Sequence, residues 1–150
     1  MIQIRGANMT QILCAGFDQV GTRVDTVHSA KILIIEDQLP VCELYALALR
    51  LSSHRYDIRL AHSGEAGVEA AFKDRPDLVI MDLTLPRMSG VEVAEKLTLG
   101  GILPGVPLII ASGETADVTE QIPANAYLAK PFPMANLVAA VQDALNALVV

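Results

Sequence analysis

Leu78 to Met81 reads Leu-Val-Ile-Met without a polar interruption, and Asp82 ends the run. A continuous apolar segment this short suits a strand buried on both faces of a parallel sheet, since a strand with one wet face would alternate. The carboxylate that closes it then falls at the carboxyl edge of the sheet, where open α/β folds hold their ligands. Pro86 and the Ser89-Gly90 pair turn the chain before a helical pattern starts at Val91, which leaves Asp82 at the root of a loop. Lys31 to Gln38 (KILIIEDQ) repeats the arrangement: Ile32 to Ile35 form a second apolar run, closed by Glu36 and Asp37.

The rest of the chain alternates around these two runs. Pro40 suits the first turn of a helix, and Val41 to Leu51 is rich in the strong helix formers Leu and Ala. Tyr56 to Ala61 reads as a strand, and Ser63 caps a helix from Gly64 to about Asp74 that Pro76 stops. Val91, Ala94 and Leu97 recur at helical spacing, with Glu92 and Lys96 four apart on the outer side, until Gly100 and Gly101. Pro107 to Ala111 is a fourth strand, turned outward by Ser112-Gly113. Thr115 to Ile122 has room for barely two helical turns before Pro123, and Ala126 to Ala129 is a short fifth strand ending at Lys130-Pro131. Leu137, Val141, Leu145 and Leu148 mark one face of a terminal helix.

Five strands alternating with five helices predict an α/β fold: a doubly wound, five-stranded parallel sheet, flavodoxin-like, in the order 2-1-3-4-5, with a shortened fourth helix. Residues 31–150 carry it. Residues 1–30 read as an N-terminal extension, flexible, an added arm, or residues upstream of a natural start, given Met9. The 150 residues, 52% hydrophobic, suffice for one domain with a real core.

The net charge of -6 and a pI near 4.9 argue against a primary role on nucleic acid or an anionic membrane, because the eleven Lys and Arg form no visible basic patch. No apolar stretch approaches a membrane span and no leader pattern opens the chain, so the protein reads as cytoplasmic. Cys14 and Cys42, far apart and in unlike contexts, suggest neither a disulfide framework nor a metal site. His28, His54 and His62 lack ligand spacing and read as surface residues.

The predicted topology gathers Glu36, Asp37, Asp82, Ser112 and Lys130 at one sheet edge. Carboxyl groups with an intrinsic pKa of about 4 resist joint ionisation at close quarters unless a cation joins them. A hard dication such as Mg²⁺ fits, because it favours a few carboxylates plus a phosphoryl oxygen. An aspartate carboxylate can attack phosphorus to give an acyl phosphate, and Asp82 is best placed to do so. The Lys130 ammonium and the Ser112 hydroxyl would stabilise the charge that develops. Taken singly, Asp82 is a turn former or cap, Ser112 a turn residue, Lys130 a solvated charge and Tyr127 a half-buried strand residue. Their convergence points to chemistry.

At these motifs the chain resembles the receiver domain of two-component response regulators, stand-alone or like those attached to hybrid histidine kinases. The likeness covers Lys31 to about Leu148 and rests on IIEDQ, DLTLPRMSG, IIASG and YLAKPF. It implies that Asp82 is the phosphoacceptor, that Asp37 binds Mg²⁺ directly with Glu36 acting through water, and that the Thr84 backbone carbonyl completes the metal site. It implies further that Ser112 hydrogen-bonds the phosphoryl group, that Lys130 pairs with it, and that Tyr127 is an aromatic switch that moves inward with Ser112. Thr84 and Glu114 take the places that tune the lifetime of the acyl phosphate, and Lys130-Pro131 would be a cis bond. The partners implied are a sensor histidine kinase or histidine phosphotransfer protein as donor and a downstream protein target. The domain would be a phosphoacceptor rather than an enzyme, with self-phosphorylation and self-dephosphorylation only.

Only fourteen residues separate Ser112 from Tyr127, which is why the fourth helix is expected to be short. The family commonly dimerises or signals through its fourth helix, fifth strand and fifth helix. Here the last helix carries one charge, Asp143, among many Ala, Leu and Val residues, so an interface around Val138 and Ala139, with a homodimer as one form of it, is an expectation. With no effector domain after Val150, output is expected to pass through a partner, or the phosphate to be relayed. Two other classes compete. A scaffold could keep the fold and work unphosphorylated. A phosphatase of the haloacid dehalogenase type would need a second acid two residues after its nucleophile, where this chain has Thr84.

Overall fold

The computed structural model describes residues 28–114 and 122–149. Five strands, β1 (Ala30–Ile35), β2 (Tyr56–Ala61), β3 (Leu78–Met81), β4 (Leu108–Ser112) and β5 (Ala126–Ala129), form one parallel sheet in the order β2-β1-β3-β4-β5, as predicted. Four helices are described: α1 (Leu39–Arg50), α2 (Gly64–Lys73), α3 (Gly90–Leu99) and α4 (Met134–Asn146), the last followed by a 3₁₀ turn at Ala147–Val149. Residues 115–121 of the helix expected over Thr115 to Ile122 and residues 1–27 of the expected extension, Cys14 among them, lie outside the described residues.

The apolar runs become the central strands because helices cover both of their faces. Leu33, Ile35, Val79, Met81 and Ile110 point to α2 and α3, where they meet Ala71, Val93 and Leu97. Ile32, Ile34, Leu78, Ile80 and Ile109 point to α1 and α4, against Tyr45, Leu49, Leu137 and Val141. Each large side chain sealed in this way contributes roughly 1.5 to 3 kcal/mol of burial. Cys42 is a buried thiol in the second of these layers, and burial pushes its pKa up to about 11.

Local signals set the element ends. Pro40 lies in the first turn of α1, where its missing N–H costs no helical bond. Ser63 caps α2, and Ser89 caps α3 with Glu92 closing a reciprocal capping box. The terminal helix departs from expectation: Leu137, Val141 and Ala144 are buried and Leu145 partly so, but Leu148 is 54% exposed. The helix ends at Asn146, and the tighter 3₁₀ turn rotates Leu148 off the buried stripe. Val138 packs partly against the core, whereas Ala139 is exposed.

Candidate functional site at the carboxyl edge of the sheet

Parallel register brings the two acidic strand ends together. Ile35 pairs with Met81, so the next residues, Glu36 and Asp82, leave adjacent strands at the same level, and the Asp82 amide donates to the Ile35 carbonyl at 3.1 Å. On the other flank Ser112 pairs with Ala129, and the Lys130 amide donates to the Ser112 carbonyl at 2.9 Å. Glu36, Asp82 and Ser112 are the buried polar residues of the described chain, exposed by 1%, 6% and 2%. Sequence reasoning expected five residues at one edge, and the strand ends place all five there.

The side chains form a charge cluster. Lys130 Nζ lies 2.7 Å from Glu36 Oε2 and 2.7 Å from Asp82 Oδ2. The other Asp82 oxygen, Oδ1, accepts the Thr84 amide at 2.9 Å, and Glu36 Oε1 accepts the Gln38 amide at 3.2 Å. Burial alone would lower the Lys130 pKa, but its bonds to Asp82 and Glu36 outweigh that and hold the ammonium above its ordinary range. Burial raises Glu36, and the bonds from Lys130 and Gln38 only partly offset it, with Asp82 pushing the same way. Both directions follow from one count: two buried carboxylates share one ammonium, and the cluster keeps an excess of negative charge.

Asp37 adds a third, half-exposed carboxylate. Glu36, Asp37 and Asp82 each place one oxygen within 4.8 Å of the others. The set is all hard oxygen, without thiolate or imidazole, and suits a hard dication with open coordination positions. The residues therefore fit Mg²⁺ on donor chemistry.

The loop after Asp82 is built for close approach. Leu83 and Leu85 are buried anchors, and the Gly90 amide returns to the Leu83 carbonyl at 2.9 Å. A Cβ on Gly90 would lie 2.5 Å from the Asp82 carbonyl oxygen and 2.6 Å from Leu83 Cα, so only glycine lets α3 begin against the strand end.

Around the mouth, Ser112 Oγ accepts the Glu114 amide at 3.3 Å, and Thr84 Oγ1 donates to Glu114 Oε1 at 2.8 Å. Tyr127 points outward, 44% exposed, with its hydroxyl donating to the Ile122 carbonyl and accepting the Ala124 amide at 3.1 Å. Lys130-Pro131 is cis. His28, His54 and His62 are all exposed.

One neighbouring residue and one contact escaped sequence reasoning. Tyr45 lies buried beneath the cluster, stacked obliquely on Phe132 with ring centroids 5.8 Å apart, and burial pushes its pKa up to about 12. A tyrosine in an otherwise Leu- and Ala-rich helix was the available signal. The Thr84–Glu114 bond joins positions thirty residues apart, and no local pattern announces it.

Residues 32–142 match the family model of the response regulator receiver domain, and the chain belongs to that family. It is 32% identical over 123 residues to the response regulator MprA of Mycobacterium ulcerans, covering 79% of this chain and 51% of that protein. It is 30% identical over 118 residues to ArlR of Staphylococcus saprophyticus, covering 77% and 52%. The chain thus spans about half the length of the curated relatives it matches. Among solved structures, the receiver domain of a LuxO-type repressor from Vibrio parahaemolyticus aligns with a TM-score of 0.74 at 26% identity, covering 81% of this chain and 94% of that one. The receiver domain of the sensor histidine kinase PA1611 from Pseudomonas aeruginosa, solved with magnesium coordinated in its active-site cleft, aligns with a TM-score of 0.70 at 28% identity, covering 79% and 99%. Among the described residues, no helix is long and apolar enough to cross a membrane.

Proposed function

We propose that this protein accepts a phosphoryl group on Asp82 from a phosphohistidine donor, a sensor histidine kinase or a histidine phosphotransfer protein, and in response switches a protein-contact surface or passes the group on. The observation that carries the reading is Lys130 Nζ bridging Asp82 and Glu36 at 2.7 Å each, beside Asp37. A carboxylate oxygen of Asp82 attacks phosphorus, the O–P bond forms as the N–P bond to imidazole breaks, and the imidazole leaves. Asp37, Glu36, Asp82 and the Thr84 carbonyl would hold Mg²⁺. When bound, the ion supplies positive charge to the phosphoryl oxygens and offsets the excess negative charge of the cluster.

The chain's own residues do the rest. Lys130 transfers its hydrogen bond from Asp82 to a phosphoryl oxygen, and Ser112 turns its hydroxyl to donate to another. Tyr127 then exchanges its outward bonds to Ile122 and Ala124 for the space that Ser112 vacates. Phosphate need only favour that arrangement differentially to shift the population. Thr84 and Glu114, joined across the mouth, set how readily water reaches the acyl phosphate. The chain acts as a phosphoacceptor switch in the cytoplasm, working through a protein target rather than turning over a substrate.

The test is intact-protein mass spectrometry after exposure to acetyl phosphate or phosphoramidate, with and without Mg²⁺. A Mg²⁺-dependent gain of about 80 Da, the mass of one phosphoryl group, is expected on the wild type and not on Asp82→Asn. If no adduct forms, and a beryllofluoride trap also fails to engage Asp82, the phosphoacceptor reading is wrong.

A further inference from the structure

Helix α1 is apolar on two opposite sides. Cys42, Tyr45, Ala46 and Leu49 are buried against the sheet, while Leu44, Leu47 and Leu51 are 47%, 51% and 78% exposed. With Pro40 these outer leucines recur at intervals of four, three and four, the spacing of a coiled-coil seam. A surface helix ordinarily keeps its outer side polar, so a second apolar stripe calls for a cover.

The charges bordering the stripe identify the cover. Glu43 and Arg50 stand along one border, both exposed, and neither is in an ion pair among the described residues. Seven residues apart, they are separated by about 10.5 Å of helix axis and cannot pair with each other. The opposite border, Val41 and Ala48, carries no charge.

We propose that α1 packs antiparallel against α1 of a second copy of this chain, about a two-fold axis passing between Leu44 and Leu47. Leu44 then faces Leu47 of the other copy and Pro40 faces Leu51. Glu43 of each copy comes alongside Arg50 of the other, twice by symmetry. An isologous contact requires a self-complementary patch, and opposite charges set on either side of the centre of an apolar stripe make one. Parallel pairing would set like residues level and leave the two charges unmatched. The inference needs no phosphorylation, and it differs from the terminal-helix interface expected from sequence.

Sedimentation velocity of the full chain across the micromolar to millimolar range tests it. The wild type and Asp82→Asn should both pass from monomer to dimer. Leu47→Glu should stay monomeric with an unchanged circular dichroism spectrum. Glu43→Arg and Arg50→Glu should each weaken the dimer about tenfold by facing like charges, and the double reversal should restore it. A wild type that stays monomeric throughout overturns the proposal. So does a dimer indifferent to Leu47→Glu, or a double reversal no better than the singles. If the wild type is monomeric and Leu47→Glu instead slows uptake from a histidine donor, the stripe belongs to the donor's helix and the self-pairing is wrong.

Discussion

Strands β3 and β5 are each four residues long, and each delivers one partner of the central ion pair, Asp82 and Lys130. They do so from opposite conditions. Every residue of β3 is buried, between two paired neighbours, whereas β5 is the sheet's edge and alternates between half-buried and exposed positions. The carboxylate proposed as acceptor thus follows a strand sealed on both faces. The ammonium and the aromatic proposed to respond to it sit where a shift disturbs little packing. The site has a fixed half and an adjustable half, and the sheet position of each strand decides which is which.

Truncation in the two strands should break this contrast if it is wrong. Ile80→Ala should cost about 2 to 5 kcal/mol in urea unfolding, and Leu128→Ala clearly less, because a half-buried site loses less transfer energy and leaves no sealed cavity. Equal losses would mean that β5 is as firmly packed as β3.

Lys130→Met removes the counter-charge from two buried carboxylates and should cost about 3 kcal/mol at neutral pH. Without its ammonium, Glu36 has a folded pKa raised further above its unfolded value by burial and by Asp82. That contribution to stability is present below the unfolded pKa and lost as pH rises through the folded one. The deficit of the variant against wild type should therefore shrink between pH 7 and pH 4.5, as read from unfolding midpoints. A deficit independent of pH would assign the loss to packing of the lysine stem.

The fixed half also has an alkaline signature. Burial pushes the Cys42 thiol up to about 11 from an ordinary 9.0, so the folded state keeps a proton that the unfolded chain sheds. Stability should fall by on the order of 2 kcal/mol as pH climbs from about 9 to 11, and Cys42→Ala should flatten that slope. Smallest of all, Tyr127→Phe should change stability by no more than about 1 kcal/mol, since water can replace the hydroxyl at Ile122 and Ala124. A larger loss would place Tyr127 in the fixed half.

The contrast also explains what could be read from the sequence. Strands β1 and β3 announce themselves because double burial erases polar interruption, and an acid after such a run has only the sheet edge to occupy. Lys130 became legible through the predicted strand order rather than through its neighbours. Its simultaneous grip on Glu36 and Asp82 was not, because nothing local says how far a lysine reaches. Leu148 was misplaced by extending a 3.6-residue period past a helix end that no glycine or proline marks. The apolar outer stripe of α1 passed unnoticed because a Leu- and Ala-rich segment reads as a good helix whichever way its leucines point.

The bond between Glu36 and Lys130 spans 94 positions. Closing so long a loop costs little more entropy than closing one half its length, yet it cannot happen before the residue at its far end exists. During synthesis, a chain stopped short of β5 holds the crowded acids of β1 and β3 with no lysine to steady them and no partner for the β4 edge. The proposed phosphoryl site is thus complete only once residues through Lys130 have left the ribosome, and fragments released before β5 should take up no phosphate from acetyl phosphate.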